Sequence, residues 1–76
     1  MKDVKVLGTG CSNCRETIKV IEAVAAEKGA AIQLEKVEDM SAIISYNVMS
    51  TPGVVIDGKV VHAGGVPPRT KVESWF

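Results

Sequence analysis

Between Val4 and Val37 the spacing of apolar residues changes twice, and no other feature of the chain limits its fold as much. Val4 and Val6 alternate with Lys5, and Leu7 carries the run to Gly8, which is the period-two pattern of a short strand. From Ser12 to Lys28 the period becomes helical. Cys14, Ile18, Ile21 and Ala25 recur at steps of four, three and four, with Val20 and Val24 widening the stripe. Lys28 suits the negative end of a helix and Gly29 terminates it. Ala30 to Val37 alternates again, Ile32 and Leu34 against Gln33 and Glu35. A helix of about 17 residues travels roughly 25 Å, which suits a crossover between parallel strands. Such crossovers are right-handed. The first half of the chain is therefore predicted to be a βαβ unit.

The second half has a different rhythm. Asp39 or Ser41 is placed to cap a short helix in which Met40, Ile43, Ile44 and Val48 line one face. Thr51-Pro52-Gly53 stops it. Val54 to Ile56 reads as a strand, Asp57-Gly58 as a type I′ turn, and Lys59 to His62 as the returning strand. Gly64-Gly65 loosens the exit, and Pro67-Pro68 opens a last helix whose Val72, Trp75 and Phe76 can cover the sheet. The predicted fold is α/β, ordered β-α-β-α-β-β-α, with a four-stranded mixed sheet and helices on both faces. Seventy-six residues make a single domain, 1–76, with a thin core.

Charge excludes one class of function. Lysine plus arginine and aspartate plus glutamate number nine each, so no net field draws polyanions. The basic residues are scattered and only three aromatics are present, which argues against nucleic-acid binding. Met1-Lys2-Asp3-Val4-Lys5 lacks the apolar run of a signal peptide, and no stretch approaches the ~20 apolar residues of a membrane span. The expectation is a cytoplasmic protein, in a compartment that keeps thiols reduced.

In that setting Cys11 and Cys14 call for a chemical explanation, because so short a loop would make a poor structural staple. They fall where a strand ends and a helix begins. A helix N-terminus offers unpaired N–H groups and the positive end of its dipole, both of which favour a thiolate. Gly8 and Gly10 leave little bulk around Cys11, which is assigned as the attacking thiolate. Cys14, on the buried stripe, is assigned as the resolving thiol. Ser12 and Asn13 can hydrogen-bond near sulfur, while Arg15 would favour a thiolate and Glu16 oppose it. Strand, CxxC, helix, strand is the pattern of a thioredoxin-like redox motif.

With these residues in place the chain resembles the thioredoxin superfamily, most closely its small glutaredoxin-like prokaryotic redox-active disulfide proteins. The matching pieces are Gly10-Cys11-Ser12-Asn13-Cys14, Ser50-Thr51-Pro52-Gly53, Asp57-Gly58-Lys59-Val60 and Gly64, in order along the whole chain. The resemblance implies a cis Thr51–Pro52 bond beside the cysteines, with Thr51 pairing an extended substrate segment. Gly10, Ser12 and Asn13 would complete the substrate-binding surface. It implies a protein disulfide oxidoreductase with no cofactor, acting on disulfide-bearing proteins and drawing electrons from a thioredoxin-reductase-like donor. A monomer is the expected state. The chain departs from the pattern in three ways. It has no tryptophan before the motif and no proline between the cysteines. Gly64-Gly65 also runs into Val66-Pro67-Pro68 rather than the acidic residue with which glutaredoxins hold glutathione, which argues against that ligand.

The alternative is a metal-binding module. Heavy-metal-associated domains also carry CxxC after their first strand, but with a methionine where this chain has Thr9, and in the order β-α-β-β-α-β. Zinc or an iron–sulfur cluster would need two copies sharing their cysteine pairs. His62, the sole histidine, is expected as a surface strand residue, Trp75 and Phe76 as packing, and Tyr46 at the polar edge of the second helix.

Overall fold

A computed structural model of the chain describes residues 2–8, 12–48 and 50–76. Seven elements follow in the order β1 (Lys2–Leu7), α1 (Ser12–Glu27), β2 (Ile32–Val37), α2 (Met40–Ser45), β3 (Gly53–Ile56), β4 (Lys59–Ala63) and α3 (Arg69–Glu73). The strands form one sheet, ordered β2-β1-β3-β4. β1 runs parallel to β2, with Val4 opposite Leu34, and antiparallel to β3, with Val6 opposite Val54. β3 and β4 form the hairpin, closed by Asp57 and Gly58 at positive φ as a type I′ turn requires. The α/β order and the mixed sheet are those expected from sequence, and they differ from the β-α-β-β-α-β order of heavy-metal-associated domains.

The pleat of the two central strands sorts the core into two layers. Val4, Val6, Val54 and Ile56 face α1 and α3, where they pack with Ile21, Val24 and Val72. Leu7 and Val55 face the opposite side and meet Ile43 and Val48. Because β3 is covered on both faces, all four of its residues are buried. Full burial of side chains such as Ile21 or Leu7 stabilises the fold by about 1.5–3 kcal/mol each.

The helical stripe predicted for α1 is the buried face: Cys14, Ile21, Val24 and Ala25 are buried, and Ile18 partly so. Thr17 joins them although it is polar, because its hydroxyl donates to the Asn13 carbonyl at 2.8 Å. α2 is capped by Asp39, one of the two residues expected, which accepts from the Ser41 N–H. The helix ends at Ser45, and its apolar face departs from the expectation. So short a helix buries a narrow face, so Ile43 goes in while Met40 and Ile44 are 56% and 64% exposed. Val48 still reaches the core from the following loop, and Tyr46 packs against that layer instead of lying at a polar edge. Among the described residues no helix is long and apolar enough to cross a membrane.

Candidate thiol-disulfide site

Two parallel strands and their crossover helix bring the carboxyl ends of β1 and β2 beneath the N-terminus of α1. Gly8 N–H, just past β1, donates to the Val37 carbonyl at 2.9 Å and ties those ends together. Ser12 opens the helix, and Cys14 lies in its first turn, buried at 5% exposure. No acidic residue occupies that turn, so no carboxylate in it offsets the positive end of the dipole. Ser12, Asn13, Arg15 and Glu16 are exposed around it. Gly10 and Cys11, the other predicted residues of the motif, lie outside the described residues, as does Thr9.

The Cys14 sulfur is seated on Gly8. A Cβ at Gly8 would stand 2.2 Å from Sγ of Cys14, so only glycine leaves room for the sulfur there. The same point lies 3.7 Å from Cβ of Thr51, which places the segment before β3 beside the sulfur. The Thr51–Pro52 bond is cis. Pro52 is buried and Thr51 exposed. The structure thus brings Cys14, Thr51 and Pro52 together.

Next to the sulfur a cleft of about 220 Å³ opens between α1 and the ends of β1 and β2. Gly8, Cys14 and Ile18 form its apolar side, and Arg15, Lys36 and Glu38 supply charge. Gly8 as the seat of the Cys14 sulfur, and Lys36 and Glu38 as neighbours of the site, are not singled out by sequence reading. The signal was present: a parallel pair brings both carboxyl ends to one rim, where open α/β sheets take their ligands.

The chain matches the thioredoxin domain family over residues 2–76. It belongs to the thioredoxin family. A thioredoxin of Methanocaldococcus jannaschii is 33% identical over 71 residues, covering 93% of this chain and 81% of that protein. A second thioredoxin of the same organism is 30% identical over 67 residues, covering 84% and 79% respectively. Membership assigns the chain, in general terms, to the thiol–disulfide oxidoreductases. In this thioredoxin-family chain the Gly64-Gly65 pair is more than a loose exit. Gly64, at φ +83, donates to the Pro52 carbonyl at 2.9 Å, and a Cβ there would lie 3.1 Å from Cβ of Ser50. The turn is pressed against the cis-proline segment.

Proposed function

We propose that the chain reduces or exchanges disulfides in protein partners through a Cys11–Cys14 dithiol. The observation that carries this reading is the buried Cys14 sulfur in the first turn of α1, packed on Gly8 and next to Thr51. In the first step the Cys11 thiolate attacks a substrate disulfide. A Cys11–substrate S–S bond forms, the substrate S–S bond breaks, and one substrate thiolate leaves. Cys14, having given up its proton, then attacks the Cys11 sulfur. The intramolecular disulfide forms and the second substrate thiolate leaves. The substrate has gained two electrons and the protein has lost two, which an external dithiol donor of the thioredoxin-reductase class restores.

Each residue has a role in this scheme. Ser12 and Asn13, exposed at the helix start, and Gly10 form the surface a partner approaches. Thr51 pairs with the partner's extended segment, and Pro52, buried behind it, fixes that edge. The absence of an acidic residue after Gly64-Gly65 favours protein partners over glutathione and sets the chain apart from glutaredoxins. The setting is the reducing cytoplasm.

The test is a trap. Cys14→Ser, expressed in cells, is expected to accumulate mixed disulfides with partner proteins, visible as higher-mass bands that collapse on reduction. Cys11→Ser should accumulate none. Equal trapping by both variants would reverse or abolish the role assignment, and no turnover of any protein disulfide by the unmodified chain would end the reading.

A further inference from the structure

We propose that His62 is a positioning residue for this site. Its imidazole, held as the Nε2–H tautomer by Lys71, fixes the Gly64–Gly65 turn against the Ser50–Pro52 segment and so sets how tightly a disulfide-bearing partner strand is taken up. The inference rests on the reading of Cys11, Cys14 and Thr51 given above.

The placement begins with a break in strand pairing. Ile56 pairs with Lys59 and Val55 with Val60, but Val54 pairs with His62, leaving Val61 as the extra residue of a β-bulge. Regular pairing would have set Val61 opposite Val54. The bulge moves His62 into that position, on the face where Val54 meets the α1 and α3 layer. There Nδ1 lies 2.9 Å from Nζ of Lys71, and the ring lies 6.5 Å from that of Trp75, tilted by 53°. Val54 from β3 and Trp75 carry no charge, and among the described residues Lys71 of α3 is the charged group hydrogen-bonded to the imidazole.

An ammonium can only donate, so Nδ1 must accept, and the ring proton sits on Nε2. Nε2 lies 2.9 Å from the Gly65 carbonyl, an acceptor only. Both contacts are satisfied by one tautomer and by no other neutral state. The turn they hold needs holding. Gly64 and Gly65 both sit at positive φ, where glycine is unstrained but entropically loose. Among the described residues one backbone bond, Gly64 to Pro52, ties it to the cis-proline segment, and Gly64 also lies against Ser50. Thr51 lies between Ser50 and Pro52, so loosening the turn loosens the edge a partner strand would meet.

Two substitutions separate positioning from packing. His62→Phe keeps a ring beside Trp75 and loses both hydrogen bonds. His62→Gln keeps a donor for Gly65 and an acceptor for Lys71 but loses the ring. Reduced protein in excess is mixed with a labelled ten-residue peptide dimer joined by one disulfide, and the half-saturating concentration and limiting rate are read from single turnovers. Phe is expected to raise the half-saturating concentration roughly three- to tenfold with the limiting rate unchanged within about twofold. Gly64 amide exchange should quicken about tenfold in the same variant, while Gln stays near the unsubstituted chain in both. Nitrogen-15 shifts of the unsubstituted chain should report the Nε2–H tautomer. A Phe variant that behaves normally in either readout, a Gln variant as impaired as Phe, or an Nδ1–H tautomer would overturn the proposal. Failure of the underlying redox reading would look different, as no peptide reduction by the unsubstituted chain. The exchange rates and the tautomer would then decide whether His62 fixes the turn at all, and normal exchange would reject it outright.

Discussion

The two ends of α1 are built on opposite terms. At its start the helix meets the sheet by close approach, a sulfur lying where a glycine's missing side chain would be, with exposed polar residues around it. At its end it is fastened by hydrogen bonds and charge. Gly29 N–H donates to Ala26 and Ala30 N–H to Ala25, the paired bonds of a Schellman cap. Lys28 then reaches across to the main-chain oxygens of Glu73 and Phe76 at the end of α3, and Arg69 of α3 pairs with Glu27 as well as Glu73. Groups at the far end are satisfied many times over. The near end instead sets the Cys14 sulfur in close packing against Gly8 at the end of β1.

Gly8 before the helix and Gly29 after it sharpen the contrast, because each is required for a different reason. Gly8→Ala should do the greater damage. The new Cβ would overlap the Cys14 sulfur, so either the side chain or the first turn of α1 must move, at about 1–3 kcal/mol of stability. The displaced sulfur should also become reactive. Peptide-resolved mass spectrometry after iodoacetamide treatment of the folded, reduced protein should show faster alkylation of Cys14. An unchanged urea midpoint together with unchanged alkylation would mean that the seat is not tight.

Gly29→Ala should cost less and leave the chemistry alone. No atom outside the chain neighbours lies within 4 Å of its Cβ position, so space is free, but φ is +64. A side chain in that left-handed region costs roughly 1 kcal/mol. The urea midpoint should fall modestly while Cys14 alkylation and mixed-disulfide trapping stay as before. If Gly29→Ala disturbed Cys14 as much as Gly8→Ala, the two ends would not be independent.

The same division marks what could be read from the sequence. Elements set by periodicity were legible: β1, α1, β2 and the Asp57-Gly58 hairpin follow from runs whose period or turn residues leave one solution. α2 was less so, because six residues hold under two turns and cannot show which of Ile43 and Ile44 goes inward. At the site, the cysteine spacing and the helix start pointed to the chemistry, whereas the cis isomer of Thr51–Pro52 came only from family resemblance. Gly8 against Cys14, the bulge at Val61 that turns His62 toward α3, and Lys28 reaching α3 rather than its own helix end are contacts between distant segments. No local pattern encodes them.

The smallest expected effect tests the charged end by pH. The Arg69 guanidinium, first through its hydrogen bond and then through its charge, holds the Glu27 carboxyl below the usual carboxylate range. A carboxylate whose pKa is depressed by folding stabilises the fold fully above its unfolded pKa. That contribution is lost as pH falls through the folded value. Comparing the unsubstituted chain with Glu27→Gln should therefore show a small difference in urea midpoint at pH 7. The difference should shrink toward zero as the pH is lowered through the carboxylate range, and it should also shrink in high salt, because both partners are about half exposed. In an Arg69→Ala background, Glu27→Gln should no longer change the pH dependence of the urea midpoint, because the carboxylate has lost the partner that depresses it. Cys14 alkylation should be untouched throughout. A difference that persisted undiminished in acid could not come from the carboxylate's charge, and the ion pair with Arg69 would then not be what fastens the far end of α1.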